Sequence, residues 1–170
     1  VASNVLTGDG GPIRALAFSS EKLLISGGDD QTTVVWDTNP DWQLVGQLGA
    51  AKDAPLNTSA SPFEFRVLSL AFSPDGSQLA TGGGEPSRSG ELIIWDVAKR
   101  EVIREIEDAH SDTVFGIEFS RDGKQIVSGS ADKFVKIHDV ATGNHVRSFE
   151  GHTHHVMGVS WQADGSSLVS

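Results

Sequence analysis

Between residues 108 and 149, apolar runs too short for a helix alternate with turn signals. Val114–Phe119 is apolar and rich in strand-forming residues. Arg121-Asp122-Gly123-Lys124 follows as a turn, because Asp-Gly supplies the positive φ that tight hairpins need. Gln125–Ser128 predicts a second strand, and Ser130-Ala131-Asp132-Lys133 a second turn. Phe134–Asp139 and His145–Phe149, joined by Ala141-Thr142-Gly143-Asn144, predict a third strand and a fourth. The stretch therefore predicts an antiparallel four-stranded meander in about forty residues, with no helix.

The same pattern recurs on both sides, and repetition at this period outweighs any local reading. Phe18, Phe72, Phe119 and Trp161 mark the first strand of successive units, at steps of 54, 47 and 42 residues. Trp36-Asp37, Trp95-Asp96 and His138-Asp139 mark the third strand. Ser26-Gly27-Gly28, Thr81-Gly82-Gly83 and Ser128-Gly129-Ser130 mark the end of the second. These landmarks divide the chain into repeats at 10–48, 49–106 and 107–149 and a truncated repeat at 150–170. The first repeat predicts strands Ile13–Ser19, Lys22–Ser26, Thr32–Trp36 and Gln43–Leu48. The second predicts Arg66–Ser73, Gln78–Thr81, Leu92–Trp95 and Val102–Ile106, and the last His155–Trp161 and Ser167–Ser170.

The Trp-Asp dipeptides, the Asp-Gly turns at 75–76, 122–123 and 164–165, and Gly151-His152 resemble the WD-repeat β-propeller family across almost the whole chain. Segments such as 131–143 and 150–159 are loosely similar to bacterial WD-repeat proteins, some of them fused to c-type cytochromes. The resemblance implies an all-β propeller of four-stranded antiparallel blades. Three blades would be full and others partial, within a ring of seven or eight. Residues 3–7 would then be the outer strand of a preceding blade. Leu92–Trp95 and Phe134–Ile137 carry apolar residues on both faces, which suits sheets stacked side by side. Propellers protect their sheet edges by closing into a ring. Three blades close poorly, so the expectation is a chain that pairs with the remaining blades of a longer parent or with a second copy, and is not a stable monomer by itself.

Two segments interrupt the repeat. Residues 50–64, with Pro55 and Pro62 among Asn, Thr and Ser, and residues 82–90, GGGEPSRSG, read as loop insertions. In a propeller both would emerge on the same side of one blade. Insertions clustered on one face often mark a binding face, although lengthening a loop twofold costs only about 0.6 kcal/mol.

Composition narrows the function classes. The 170 residues contain no cysteine, which excludes disulfides, thiol catalysis and zinc–thiolate sites. No apolar run approaches the roughly 20 residues of a membrane span, so no membrane partner is expected; the compartment of a soluble protein, cytoplasmic or periplasmic, stays open. A net charge of −10 argues against nucleic acid as the main partner and mildly favours a basic one.

The family resemblance implies a buried network of His, Ser or Thr, Asp and Trp in each blade. Repeat three supplies His110, Ser128, Asp132 and His138, with His138 in place of Trp. Repeat one supplies Ser26, Asp30 and Trp36, repeat two Thr81 and Trp95, and repeat four His152. Ser128, His110 and Asp132 are also the residue types of a hydrolase triad. No Gly-x-Ser-x-Gly elbow precedes a helix, however, and their positions are the structural ones. Imidazoles at 152, 154 and 155 could ligate zinc or copper, but alternation along a strand would make their side chains diverge, so no metal or other cofactor is expected. Family propellers bind partners through side chains at the start of each inner strand. Matched by position, these are Arg14, Arg66, Leu68, Thr113, Phe115, His155 and Met157. The resulting expectation is a non-catalytic scaffold that binds a protein or peptide. The alternative is a propeller accessory to an enzyme or a c-type cytochrome.

Overall fold

The computed structural model describes residues 11–19, 22–38, 43–49, 63–106 and 108–170. Fourteen strands and no helix occur among them. The first sheet comprises β1 (Ile13–Phe18), β2 (Leu23–Gly28), β3 (Thr33–Asp37) and β4 (Gln43–Gln47). The second comprises β5 (Val67–Phe72), β6 (Gln78–Gly83), β7 (Leu92–Asp96) and β8 (Glu101–Glu105). The third comprises β9 (Val114–Phe119), β10 (Gln125–Ser130), β11 (Val135–Asp139) and β12 (His145–Phe149). All three are antiparallel meanders in chain order. A two-stranded sheet, β13 (Ser160–Trp161) with β14 (Leu168–Val169), completes the order. The segments 3–7 and 50–62, read as an outer strand and a loop insertion, lie outside the described residues.

The first strands β1, β5, β9 and β13 neighbour one another in turn, so the blades are arranged around their inner strands. Strand alternation sends neighbouring side chains to opposite faces, and each middle strand therefore feeds two cores. Leu92 and Ile94 of β7 pack with Val114, Ile117, Phe119 and Ile126 of the third blade. Ile93 and Trp95, between and beyond them, pack with Ile25, Val35 and Leu48 of the first. The third blade repeats the device: Ile126 belongs to the core shared with the second blade, while Val127 joins Val135, Ile137 and Val156.

Hairpins close where Asp-Gly was read. Gly76, Gly123 and Gly165 have φ of 73°, 70° and 74°, and each donates its N–H at 2.8 Å to the carbonyl three residues back. Asp75, Asp122 and Asp164 fasten the same turns by accepting from the serines around them. Those hydrogen bonds hold all three carboxyls below their usual range, Asp75 at about 2.

The second strands run further than the sequence predicts. Gly27-Gly28, Gly82-Gly83 and Gly129-Ser130 belong to β2, β6 and β10 rather than to the turns after them. For Gly27, Gly82 and Gly129 the reason is inter-blade. A Cβ on Gly27 would lie 2.8 Å from Val67, on Gly82 2.8 Å from Val114 and on Gly129 2.7 Å from Val156. Each is a glycine of one blade beneath the first valine of the next, a close approach that any side chain would obstruct. The last repeat is shorter than predicted. Residues 155–159 carry no ladder, and β14 pairs only with Ser160 and Trp161.

Candidate functional site

The residues of the implied network fall into two arrangements. In the first two blades the indole donates to a buried hydroxyl: Trp36 Nε1 to Ser26 Oγ and Trp95 Nε1 to Thr81 Oγ1, both at 3.0 Å. Asp30 instead accepts the N–H of Thr32 within its own turn. In the third blade His110 stands between Asp132 Oδ2, 2.9 Å from Nδ1, and Ser128 Oγ, 2.8 Å from Nε2. A carboxylate only accepts, so Nδ1 carries the proton and Nε2 accepts from the Ser128 hydroxyl. Asp132 also accepts the backbone N–H groups of Ser111 and Phe134. Burial alone would raise its carboxyl, but those N–H groups and His110 hold it low. Burial pushes His110 down against the pull of Asp132 and keeps it neutral.

His138 does not complete the network as its position implied. With the Ser128 hydroxyl committed to His110, His138 Nδ1 is buried without a hydrogen-bond partner. The ring meets His145 edge-on at 5.6 Å. An indole reaches its hydroxyl where the smaller imidazole does not. His152 in turn meets Ser170 at 2.7 Å, in the same sequence offset that joins His110 to Ser128. Ser170 was missed, although the repeat register names it.

The trio His110, Ser128 and Asp132 has triad-like distances, but Ser128 is fully buried and no substrate carbonyl can reach it. Asp132→Ala should cost about 1–3 kcal/mol through the partners it leaves unsatisfied. Measured by urea unfolding with a His110→Ala cycle, the two changes should couple by at least about 0.5 kcal/mol. Among the described residues no group of three His, Asp or Glu side chains gathers into a metal shell. His152 turns to Ser170 while the His155 ring stacks on Phe115, centroids 6.0 Å apart.

The seven rim positions come together. Arg14, Arg66, Leu68, Thr113, Phe115, His155 and Met157, from four successive repeats, line one concavity of about 520 Å3. The ladder registers explain why. Pairing skips Arg14 between Ile13 and Ala15, Leu68 between Val67 and Ser69, and Phe115 between Val114 and Gly116. A bulged residue leaves the ladder and its side chain is re-aimed; here every blade aims one into the same space. Met157 follows Val156 as Phe115 follows Val114, and it is 65% exposed. Thr113 departs from the reading. It is 2% exposed, so it underlies the concavity rather than presenting a contact.

The walls are chemically uneven. Asp29 binds the Arg14 guanidinium through both oxygens and stands 3.8 Å from Arg66. The Arg14 hydrogen bond holds Asp29 below the usual carboxylate range. The same lining holds the apolar Leu68, Phe115 and Met157 together with His155. The inserted loop at 82–90 supplies Pro86 and Ser87 to the mouth. That loop is tied down by Ser87 N–H to Asp112 Oδ1, 2.8 Å, and by the Gly90–His110 bridge.

A family model described as the nucleolar protein 10-like N-terminal domain, a β-propeller, matches residues 5–169. The rice (Oryza sativa subsp. japonica) chromatin assembly factor 1 subunit FAS2 homolog is 29% identical over 94% of the chain, which spans 31% of that protein. WD repeat-containing protein 1 of Xenopus tropicalis is 32% identical over 64% of the chain and 20% of its own length. The solved RRP9 WD40 repeats superpose with a TM-score of 0.76 at 25% identity, covering 92% of the chain and 44% of that structure. The chain thus spans less than half of each. WD repeats are named in two of these, WD repeat-containing protein 1 and the RRP9 structure, and none of the three names supports a cytochrome partnership. The named organisms are eukaryotic, which weighs against the loose bacterial likeness.

Proposed function

Because the chain belongs to the WD-repeat β-propeller family of the nucleolar protein 10-like N-terminal domain, we propose that it is a non-catalytic interaction scaffold. It takes a protein or peptide in the rim concavity and performs no chemistry of its own. One observation carries this reading: bulges in three separate ladders turn Arg14, Leu68 and Phe115 into a single concavity that His155 and Met157 complete. Arginine, aromatic and methionine side chains are the types enriched at interfaces. The fold supports the role physically. A rigid, cross-blade core presents these side chains with little ordering left to do on binding, which is what preorganisation contributes to affinity. A relative named as a subunit of chromatin assembly factor 1 is consistent with work inside an assembly. The net charge of −10 weighs against nucleic acid as the occupant.

A photo-crosslinking amino acid at position 157 of the full-length protein tests the reading. Ile103, on the outer strand β8, is 43% exposed and serves as an equally apolar control site. Crosslinked protein adducts should form from position 157 and be absent from position 103, and Phe115→Ala should abolish them. Equal labelling from both positions, or labelling indifferent to Phe115, would overturn the rim as the binding surface.

A further inference from the structure

We propose that the rim concavity selects a peptide segment in which a carboxylate side chain lies next to an apolar one; this rests on the rim being the binding surface. Two guanidiniums share a single carboxylate on one wall. Arg14 has its partner, since Asp29 binds it at Nε and Nη2. Arg66 does not: its nearest Asp29 oxygen is 3.8 Å away, beyond hydrogen-bonding range, and its side chain is 43% exposed. Among the described residues the Arg66 guanidinium therefore has a planar fork of donors unspent, at the edge of a cavity. A fork of this geometry matches a carboxylate in bidentate fashion.

The same lining carries the apolar side chains Leu68, Phe115 and Met157. Met157 is 65% exposed, and Phe115 lies against His155 with rings inclined by 27°. An occupant that satisfies Arg66 has its neighbouring residue over this floor, where a thioether and an aromatic face accept an aliphatic or aromatic side chain. Arg14 and Arg66 are matched in number by Asp29 and Asp112, so the rim is near neutral within a protein of net charge −10, and Arg66 is its least compensated positive group. Long-range fields of negative sign slow an acidic partner's approach without deciding what the site holds.

A single carboxylate fits better than a phosphate. A phosphorylated side chain brings nearly two negative charges and three acceptor oxygens, and calls for a cluster of free guanidiniums. Among the described residues of this lining only Arg66 has a guanidinium without a hydrogen-bonded carboxylate, its ion pair with Asp29 being 3.8 Å long, and the Asp112 carboxylate in the same lining repels a dianion more strongly than a single charge.

The test is selection of a random nonapeptide display library on the intact protein. Recovered peptides should be enriched in Asp or Glu beside an aliphatic or aromatic residue. A synthetic peptide from the selection should lose at least tenfold in affinity when its carboxylate becomes an amide, and similarly on Arg66→Ala. The two losses should not add, because they remove the two halves of one contact. Arg66→Lys should restore only part of the affinity, since an ammonium lacks the fork. Because Arg66 is exposed, its variants keep the fold, and the melting curve checks this. Enrichment of Lys or Arg, preference for a phosphorylated analogue, or indifference to both the amide and Arg66→Ala would overturn the carboxylate. If Phe115→Ala or Met157→Ala still weakened such peptides, the rim would stand without it. Peptides indifferent to Arg66, Phe115 and Met157 alike would remove the rim as well. Recovery of no peptide overturns the inference.

Discussion

Trp95→Ala will cost about 3–5 kcal/mol of folding stability, the range of a fully buried aromatic truncation. Trp95 is 0% exposed and sits in the core shared by the first two blades, against Ile25, Val35, Leu48 and Leu79. Its ring meets Phe63 at 5.2 Å between centroids. Alanine removes the indole, opens a cavity between two sheets that cannot easily approach, and leaves the Thr81 hydroxyl with only its long bond to the Ile93 carbonyl, 3.5 Å. Trp95→Phe separates these contributions. It retains a ring against Phe63 and loses chiefly the hydrogen bond and part of the volume, so about 1–2 kcal/mol is expected. Urea unfolding of both variants reads the difference. A loss below about 1 kcal/mol for alanine would mean that the inter-blade core is not what holds the second blade to the first.

Much of this architecture could be read from period and landmark residues, and the places where reading failed are physically instructive. Strand positions followed from apolar runs bounded by Asp-Gly turns, because both signals are local. The glycines at 27–28, 82–83 and 129 mark the end of the second strand in the sequence, where the predicted strands stop at Ser26, Thr81 and Ser128, yet they lie within the strands. For Gly27, Gly82 and Gly129 the cause is the first valine of the next blade, far along the chain, and for Gly28 and Gly83 it is the backbone carbonyl of Pro12 or Arg66 just before the first strand of their own blade. A sequence read locally offers no sign of it. The rim residues were legible only through alignment of the repeats. Their convergence depends on bulges at Arg14, Leu68 and Phe115, which no composition signal announces. Thr113 shows the limit of that alignment, since it shares the rim's position in the repeat but lies on the buried side of the bulge. His138 fails for a related reason. Its place in the repeat implies a network partner, while its size and the prior claim of His110 on Ser128 deny it one.

That denied partner makes the third blade acid-sensitive. Burial, with His110, His145 and Lys136 nearby, pushes His138 down to about 4. An unfolded histidine titrates near 6.5. The folded value is the lower one, so the unfolded chain binds more protons between the two, and stability falls as pH drops through that window. It is complete above about 6.5 and declines by roughly 2–3 kcal/mol by pH 4.5 from His138 alone. His110, also lowered by burial, adds to the slope in the same direction. The turn aspartates Asp75, Asp122 and Asp164 have lowered values as well, but their stabilisation is lost only as pH falls below the ordinary carboxylate range, so measurements above pH 4.5 exclude them. His138→Phe isolates the effect. It keeps an aromatic ring against the same neighbours, removes the unpartnered Nδ1 and removes the titration. At pH 7 the variant should be as stable as the parent or slightly more so, because a buried polar atom without a partner is itself costly. Between pH 7 and 4.5 the parent should lose stability faster, and the two urea midpoints should diverge steadily. Midpoints that fall in parallel would show that His138 is not held neutral by the fold, and that acid acts on the third blade through His110 instead.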